Sequence, residues 1–132
     1  MGDRRFPPVL LVHGVCSTGQ TMSVLADAFL SRDCHVVAPT LVPKRRTDVG
    51  ATDGSLARLT LAELLDEAQD HVRAIRRNFD QKPVVVGHSN GALHALALAG
   101  MDEASAVGLV APAPPPSVPG APVWLRRMLF SR

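Results

Sequence analysis

Aromatic residues are scarce in this sequence. They make up 4% of the 132 residues, with no tyrosine and a single tryptophan. The hydrophobic core must therefore be built mainly from valine, leucine and alanine. An apolar content of 46% beside 20% charged residues is typical of a globular chain and excludes a disordered segment. The length favours one domain spanning residues 1–132.

Cysteine, net charge and long apolar runs are also sparse. The two cysteines, Cys16 and Cys34, form no disulfide framework, which favours free thiols in a reducing compartment. A net charge of +2 is too small to indicate a nucleic-acid partner, and no metal-ligand spacing occurs. No run is long enough for a membrane span, and the amino terminus lacks the apolar segment of a secretory signal. We therefore expect a cytoplasmic protein without metal, cofactor, nucleic acid or membrane span.

Short apolar runs alternate with helical patterns along the chain. Strands are predicted at residues 9–12, 34–38, 84–86 and 106–110. Helices are predicted at residues 22–32, 60–79 and 92–99. This alternation predicts an α/β fold, a doubly wound parallel sheet of about four strands with right-handed crossovers.

Two of the predicted helices have a recognisable inner face. In the helix at residues 60–79, apolar residues at helical spacing form it: Leu61, Leu64, Leu65, Ala68, Val72, Ile75 and Phe79. Residues 60–79 open with a capping box, Thr60 and Glu63, and their charges follow the helix dipole. We assign these charges to a solvated face without a catalytic role: Glu63, Asp66, Glu67 and Asp70 near the start, and Arg73, Arg76 and Arg77 near the end. In the first helix, Leu25, Ala28 and Phe29 are predicted to share the buried face.

The segment Gly87-His88-Ser89-Asn90-Gly91 matches G-x-S-x-G between a predicted strand and a predicted helix. A serine on such a sharp turn is held above the sheet, and we expect Ser89 at a positive φ with its hydroxyl exposed. Small glycines let the strand and the helix approach closely. The helix that starts behind the serine directs its N–H groups and positive dipole end at developing negative charge.

A second signal follows the first strand, which ends in His13-Gly14-Val15. With both motifs the sequence resembles the α/β-hydrolase family, in which an HG turn after one central strand lies beside a GHSxG elbow. The resemblance covers roughly residues 7–125, but only the first half of a typical member. It implies a partial α/β-hydrolase fold with the strand order second, first, third, fourth.

The resemblance also implies roles for individual residues. Ser89 would be the nucleophile, and the backbone N–H groups of Val15 and Asn90 would form an oxyanion hole. His13 would hold its loop by hydrogen bonding, and His88 would pack beside the elbow. Three glycines would support this arrangement: Gly14, Gly87 and Gly91.

The rest of a catalytic triad is not evident in the sequence. In the family the acid and then the histidine follow later strands, but downstream of Ser89 the acids are Asp102 and Glu103 and the histidine is His94. The acids come after the elbow helix, which puts them at the opposite end of the sheet. His94 lies inside the helix itself. We therefore expect a truncated domain whose isolated chain is weakly active or inactive.

Two functions from different classes stay open. The first is a serine hydrolase that cleaves a small-molecule ester or amide through an acyl-Ser89 intermediate, with the acid and the histidine missing because the chain is a fragment or needs a second polypeptide. The second is a catalytically silent remnant that binds a small ligand or a protein. Dinucleotide binding is disfavoured because no G-x-G-x-x-G follows any strand.

The last predicted strand and the residues after it raise the question of partners. Residues 111–132 are rich in proline, and the resemblance implies that they begin a cap over the site. The strand at 106–110 is left with an open edge, so we expect a homodimer or a complementing chain. The run Lys44-Arg45-Arg46 is more typical of a solvated loop than of an anionic substrate site.

Overall fold

The structure is a computed structural model, and it describes residues 6–43 and 59–114. Within them lies a four-stranded parallel sheet in the order β2-β1-β3-β4, which confirms the predicted strand order. The strands are β1 (Val9–Val12), β2 (Val36–Val37), β3 (Val84–His88) and β4 (Ala106–Val110). Two predicted features lie outside the described residues. They are the basic run at residues 44–46 and most of the predicted cap, from residue 115 onward.

Strand β1 is the centre of the sheet, and all four of its residues are buried. Its side chains alternate between the two faces of the sheet, as the pleat requires. Leu10 and Val12 belong to the core on one face, and Val9 and Leu11 belong to the core on the other. A strand covered on both faces needs this continuous apolar sequence.

Helices cover both faces of the sheet, as the predicted doubly wound fold requires. They are α1 (Ser23–Leu30), which follows a 3-10 turn at Gly19–Met22, α2 (Leu61–Phe79) and α3 (Gly91–Gly100). Residues of α2 and α3 pack together with Leu10, Val12 and Val85. Residues of the 3-10 turn and α1 pack on the other face with Val9 and Leu11.

Helix α2 begins at the capping box that the sequence predicts. The Thr60 hydroxyl accepts from the Glu63 N–H at 3.2 Å, and the Glu63 carboxylate accepts from the Thr60 N–H at 2.8 Å. Such reciprocal bonds satisfy two backbone donors that a helix start otherwise leaves without partners. The buried face of α2 is Leu64, Ala68, Val72 and Ile75, all of them among the predicted core positions.

Two predicted details of the α1 side are wrong. Ala28 is exposed, and Ala26 packs against the core instead. The buried face starts at Met22 and continues through Leu25, Ala26 and Phe29, the spacing of one helical stripe. Strand β2 is also shorter than the predicted 34–38, because the Cys34 N–H bonds back to the Phe29 carbonyl and only Val36–Val37 pair with β1.

Strand β4 forms an edge of the sheet and is the least covered of the four strands. Val107 and Leu109 are 37% and 41% exposed. This agrees with the expected open edge, while the homodimer stays a prediction. In the described part of the chain, no helix is long and apolar enough to cross a membrane.

Candidate functional site

Ser89 occupies a sharp turn between β3 and α3, and its φ is 55°, as predicted. Left-handed backbone at a residue with a Cβ costs roughly 1–3 kcal/mol, so the surroundings must hold it. Three backbone hydrogen bonds do so: Ser89 N–H donates to the Val110 carbonyl at 3.0 Å, and the Ser89 carbonyl accepts from Ala113 at 3.0 Å and from Ala92 at 3.2 Å. The side chain is half-buried.

The two elbow glycines sit where no side chain fits. A Cβ on Gly87 would lie 2.2 Å from the Gly91 carbonyl oxygen, and a Cβ on Gly91 would lie 2.2 Å from the Val12 carbonyl oxygen. Because both obstacles are backbone, neither can move aside cheaply. The start of α3 is therefore pressed against the carboxyl ends of both central strands, β1 and β3.

The HG turn touches the elbow. A Cβ built on Gly14 would lie 3.3 Å from the Ser89 Cβ, so the two backbone turns are in direct contact at that point. The fold thus brings together Ser89, Gly14 and their chain neighbours Asn90 and Val15. The Asn90 N–H makes no hydrogen bond within residues 6–43 and 59–114.

His13 is buried, and both of its ring nitrogens are engaged in supporting its loop. Nε2 accepts from the Leu41 N–H at 2.9 Å, and Nδ1 lies 2.7 Å from the Gly14 carbonyl oxygen. A backbone N–H can only donate and a carbonyl can only accept, so the ring is the neutral Nδ1–H tautomer. In this arrangement His13 has no nitrogen left to take a proton from Ser89.

His94 is also removed from Ser89 chemistry. It is 3% exposed inside α3, and its Nε2 lies 3.3 Å from the Leu61 carbonyl of α2. Burial lowers the pKa of His94 from its usual 6.5, and the nearby backbone carbonyls of Leu61 and Asn90 oppose this in part. The ring therefore favours the neutral form.

Buried polar atoms without partners lie directly beside the elbow. The Asn90 side chain is fully buried, and neither its amide oxygen nor its amide nitrogen has a partner in the described part of the chain. His94 Nδ1 is also buried and has no hydrogen-bond partner among the described residues. A buried polar group without a hydrogen bond costs about 1–3 kcal/mol. Such a cost is tolerated more often at functional sites than in ordinary cores.

The other candidate acids and bases lie away from the elbow. Asp102 and Glu103 follow α3 and form ion pairs with Lys82 at 2.6 Å and with Arg76 at 2.9 Å. The hydrogen bond and the charge of Lys82 hold the pKa of Asp102 below its usual value. Among the histidines, His35 stacks on Phe79, His71 is 4.0 Å from Glu67, and half-buried His88 ends β3.

A model of the alpha/beta hydrolase family matches residues 9–132. The chain belongs to the α/β-hydrolase family. The match extends from the first residue of β1 to the end of the sequence, so the family assignment includes both motif-bearing turns.

Solved α/β-hydrolase structures share the fold. One, described with the metagenome-derived lipolytic enzymes LipS and LipT, has a TM-score of 0.67 and 22% identity, covering 85% of this chain and 44% of that one. A mutant of polyneuridine aldehyde esterase has a TM-score of 0.62 and 22% identity, covering 85% and 43%. An extracellular α/β-hydrolase from a Paenibacillus species, described as sharing structural and functional homology with tobacco salicylic acid binding protein 2, has a TM-score of 0.61 and 15% identity, covering 83% and 42%.

These likenesses establish the fold alone, because the identities are low. This α/β-hydrolase chain spans less than half the length of each of the three structures. No curated protein matches it significantly.

Sequence reasoning missed one residue near the site. The charge pattern of α2 predicts a solvated Glu67, but the residue is half-buried and its Oε2 accepts from the Val42 N–H at 2.8 Å. Val42 has a φ of 49°, which is unusual for a β-branched residue. The sequence carried no signal for this contact, because residues 42 and 67 are joined only through the folded chain.

The end of the sheet opposite Ser89 carries a different surface. A cleft of about 350 Å³ there is lined by Arg76, Arg77, Asp80, Gln81 and Lys82. Two of its three cations are already paired with the carboxylates that follow α3. Within residues 6–43 and 59–114, no group of three or more histidine, cysteine, aspartate or glutamate side chains could hold a metal ion.

Proposed function

We propose that this α/β-hydrolase chain supplies the nucleophile and the oxyanion hole of a serine hydrolase for small-molecule carboxylic esters or amides. The observation that carries the proposal is Ser89 at a φ of 55°, in contact with Gly14 of the HG turn. A strained serine at the carboxyl ends of two central parallel strands stands where α/β folds bind ligands. The lipolytic enzymes and the esterase among the similar structures favour the ester class.

The chemistry divides into two displacement steps. Ser89 Oγ attacks the carbonyl carbon as its proton passes to a base, and the carbonyl oxygen becomes an oxyanion. The N–H groups of Val15 and Asn90 bind that oxyanion, and the start of α3 adds its positive dipole end. The intermediate then collapses: the base gives its proton to the leaving group, which departs as an alcohol or amine, and acyl-Ser89 remains. Water then attacks the acyl carbon, releases the acid and returns the proton to Ser89.

The proton acceptor for these steps is proposed to come from outside the 132 residues. The sequence contains five histidines, and all of them lie in described regions. His13 and His94 are held by backbone groups, and neither forms a hydrogen bond with Ser89 in the described part of the chain. Removing the base of such a site leaves only the residual rate of the oxyanion hole. The isolated chain should therefore react with activated reagents slowly.

A fluorophosphonate probe tests the proposal, because Ser89 Oγ would displace fluoride from phosphorus and form a stable bond. We expect the wild-type chain to take up about one equivalent over long incubation and Ser89→Ala to take up none. Ser105→Ala is the matched control, since Ser105 is exposed at the far end of the sheet, and it should label like the wild type. Equal labelling of wild type and Ser89→Ala, or no labelling of either, would reject Ser89 as a nucleophile.

A further inference from the structure

Three consecutive residues after β2 each hold a different part of the site in place. Thr40 Oγ1 accepts from the Gly19 N–H at 3.0 Å, and the Leu41 N–H donates to His13 Nε2 at 2.9 Å. The third contact is the Val42 N–H to the Glu67 carboxylate at 2.8 Å. We name residues 40–42 the clamp segment and residues 13–19 the HG loop. The clamp segment thus joins both ends of the HG loop to the middle of α2.

Val42 is the strained member of the clamp segment. A φ of 49° at a β-branched residue is strained, and it persists only where neighbouring groups impose it. The Glu67 carboxylate is such a group, because its Oε2 accepts from the Val42 N–H at 2.8 Å. Leu41 provides the other restraint, since it is 1% exposed and its side chain packs in the α2–α3 core.

The effect of this restraint reaches the proposed oxyanion hole through one peptide unit. His13 Nδ1–H donates to the Gly14 carbonyl, and that carbonyl shares a planar trans peptide with the Val15 N–H. In a trans peptide the C=O and the N–H point in opposite directions. A fixed Gly14 carbonyl therefore fixes the direction of the Val15 N–H. The His13 ring is itself positioned by Leu41, the residue next to Val42.

We propose that Glu67 is a positioning residue of the site: it holds the clamp segment, and through Leu41 and His13 it aims the Val15 N–H at the oxyanion. This inference rests on the proposed function, since it assigns Glu67 a part in the same site. Glu67 itself touches neither Ser89 nor the substrate. Its action requires only an acceptor oxygen at this position, and a glutamine amide can supply one.

Three variants of α2 separate positioning from bulk stability. Glu67→Ala removes the acceptor, Glu67→Gln keeps a neutral one, and Asp66→Ala is the matched control because Asp66 is the exposed neighbour on the same helix. Two measurements are made on each variant in the intact chain. The first is the rate of amide hydrogen exchange at Leu41, Val42 and Val15. The second is the kinetics of fluorophosphonate labelling, which give the limiting labelling rate of Ser89 and the affinity for the probe.

We expect Glu67→Ala to speed exchange at Leu41 and Val42 at least tenfold and to lower the limiting labelling rate about tenfold at unchanged probe affinity. The loss is a fraction of the 10²–10³-fold cost of deleting an oxyanion donor, since the donor is misaimed but present. Glu67→Gln should recover most of both quantities, and Asp66→Ala should match the wild type.

The proposal is overturned if Glu67→Ala exchanges at Leu41 and Val42 like the wild type, or if it labels at the wild-type rate while exchanging faster. It is also overturned if Glu67→Gln behaves like Glu67→Ala. The exchange measurement keeps the two hypotheses apart. A wild type that fails to label rejects the proposed function, and exchange at Leu41, Val42 and Val15 then decides alone whether Glu67 holds this backbone.

Discussion

The junction of β1 and β3 and the edge at β4 belong to the same sheet, but they are built differently. At the junction every residue of β1 is buried, and Gly87 and Gly91 allow backbone to meet backbone without a side chain between them. At the edge Val107 and Leu109 keep more than a third of their surface exposed. Both regions are apolar and hydrogen-bonded in register, so composition alone does not separate them.

The two regions differ in the unfavourable features that their packing supports. The junction tolerates a left-handed Ser89 and the unpartnered Asn90 amide because close packing on all sides outweighs both costs. Within β4 no residue has a positive φ, although Ala111 directly after the strand has a φ of 43°, and no group of the edge is assigned to chemistry. A region whose packing holds strained residues in place is the better candidate for function.

Gly91→Ala should break the junction most severely. The new methyl would lie 2.2 Å from the Val12 carbonyl oxygen, so the backbone of β1 or α3 must shift. We expect a loss of about 3 kcal/mol in the free energy of unfolding, at the upper end for overpacking. Urea denaturation measures it.

Gly100→Ala is the matched control, because a Cβ there meets nothing within 4 Å. Alanine has the higher helix propensity, so this variant should gain about 0.5 kcal/mol. Equal effects of the two substitutions would contradict the close contact at the junction.

Val85 and Val107 face each other across β3 and β4 and compare the two regions directly. Val85 is 0% exposed and Val107 is 37% exposed. Val85→Ala should cost about 2 kcal/mol of unfolding free energy, and Val107→Ala less than about 1 kcal/mol, because the cavity term needs full burial. Thermal or urea unfolding of both variants tests this order. A larger loss at Val107 would mean that the edge is covered.

The pH dependence of stability should report the buried His94. Its folded pKa lies below the usual 6.5, so as the pH falls below about 6.5 the unfolded chain binds the proton first and the free energy of unfolding decreases. Above that pH range His94 is neutral in both states, so it does not change the free energy of unfolding with pH. As the pH falls from about 7.5 to about 5.5, the free energy of unfolding should therefore decrease more steeply in the wild type than in His94→Gln. Parallel profiles would show that His94 titrates equally in both states.

Leu109→Lys should have the smallest effect on the fold and should act on association instead. A charge on an open edge opposes strand pairing between chains. We expect the variant to stay folded, within about 1 kcal/mol of wild type, and to self-associate less in sedimentation velocity. Leu30→Lys, which changes an exposed leucine of α1, is the control and should associate like the wild type. If the wild type sediments as a monomer at every concentration tested, the homodimer prediction is wrong.

Local sequence patterns predict the capping box and the left-handed Ser89, because each depends on residues close together in the chain. The strand order follows from the resemblance to the α/β-hydrolase family. The wrong assignments have another cause. Ala26 replaces Ala28 in the core because the 3-10 turn before α1 sets the phase of the helix. Glu67 meets Val42 only after β2 and α2 have packed, and the orphaned Asn90 amide likewise arises from tertiary contacts. Neither leaves a trace in periodicity or spacing.

In the proposed function the junction supplies the nucleophile and the oxyanion donors, and the base comes from outside the 132 residues. The most direct test is the rate of fluorophosphonate labelling at Ser89 as imidazole is added. Our account predicts slow labelling in buffer, a rate that rises with the concentration of neutral imidazole, and no labelling in Ser89→Ala. Rapid labelling without imidazole would show a base within the 132 residues and contradict the account, as would an imidazole-driven adduct mapped to any residue other than Ser89.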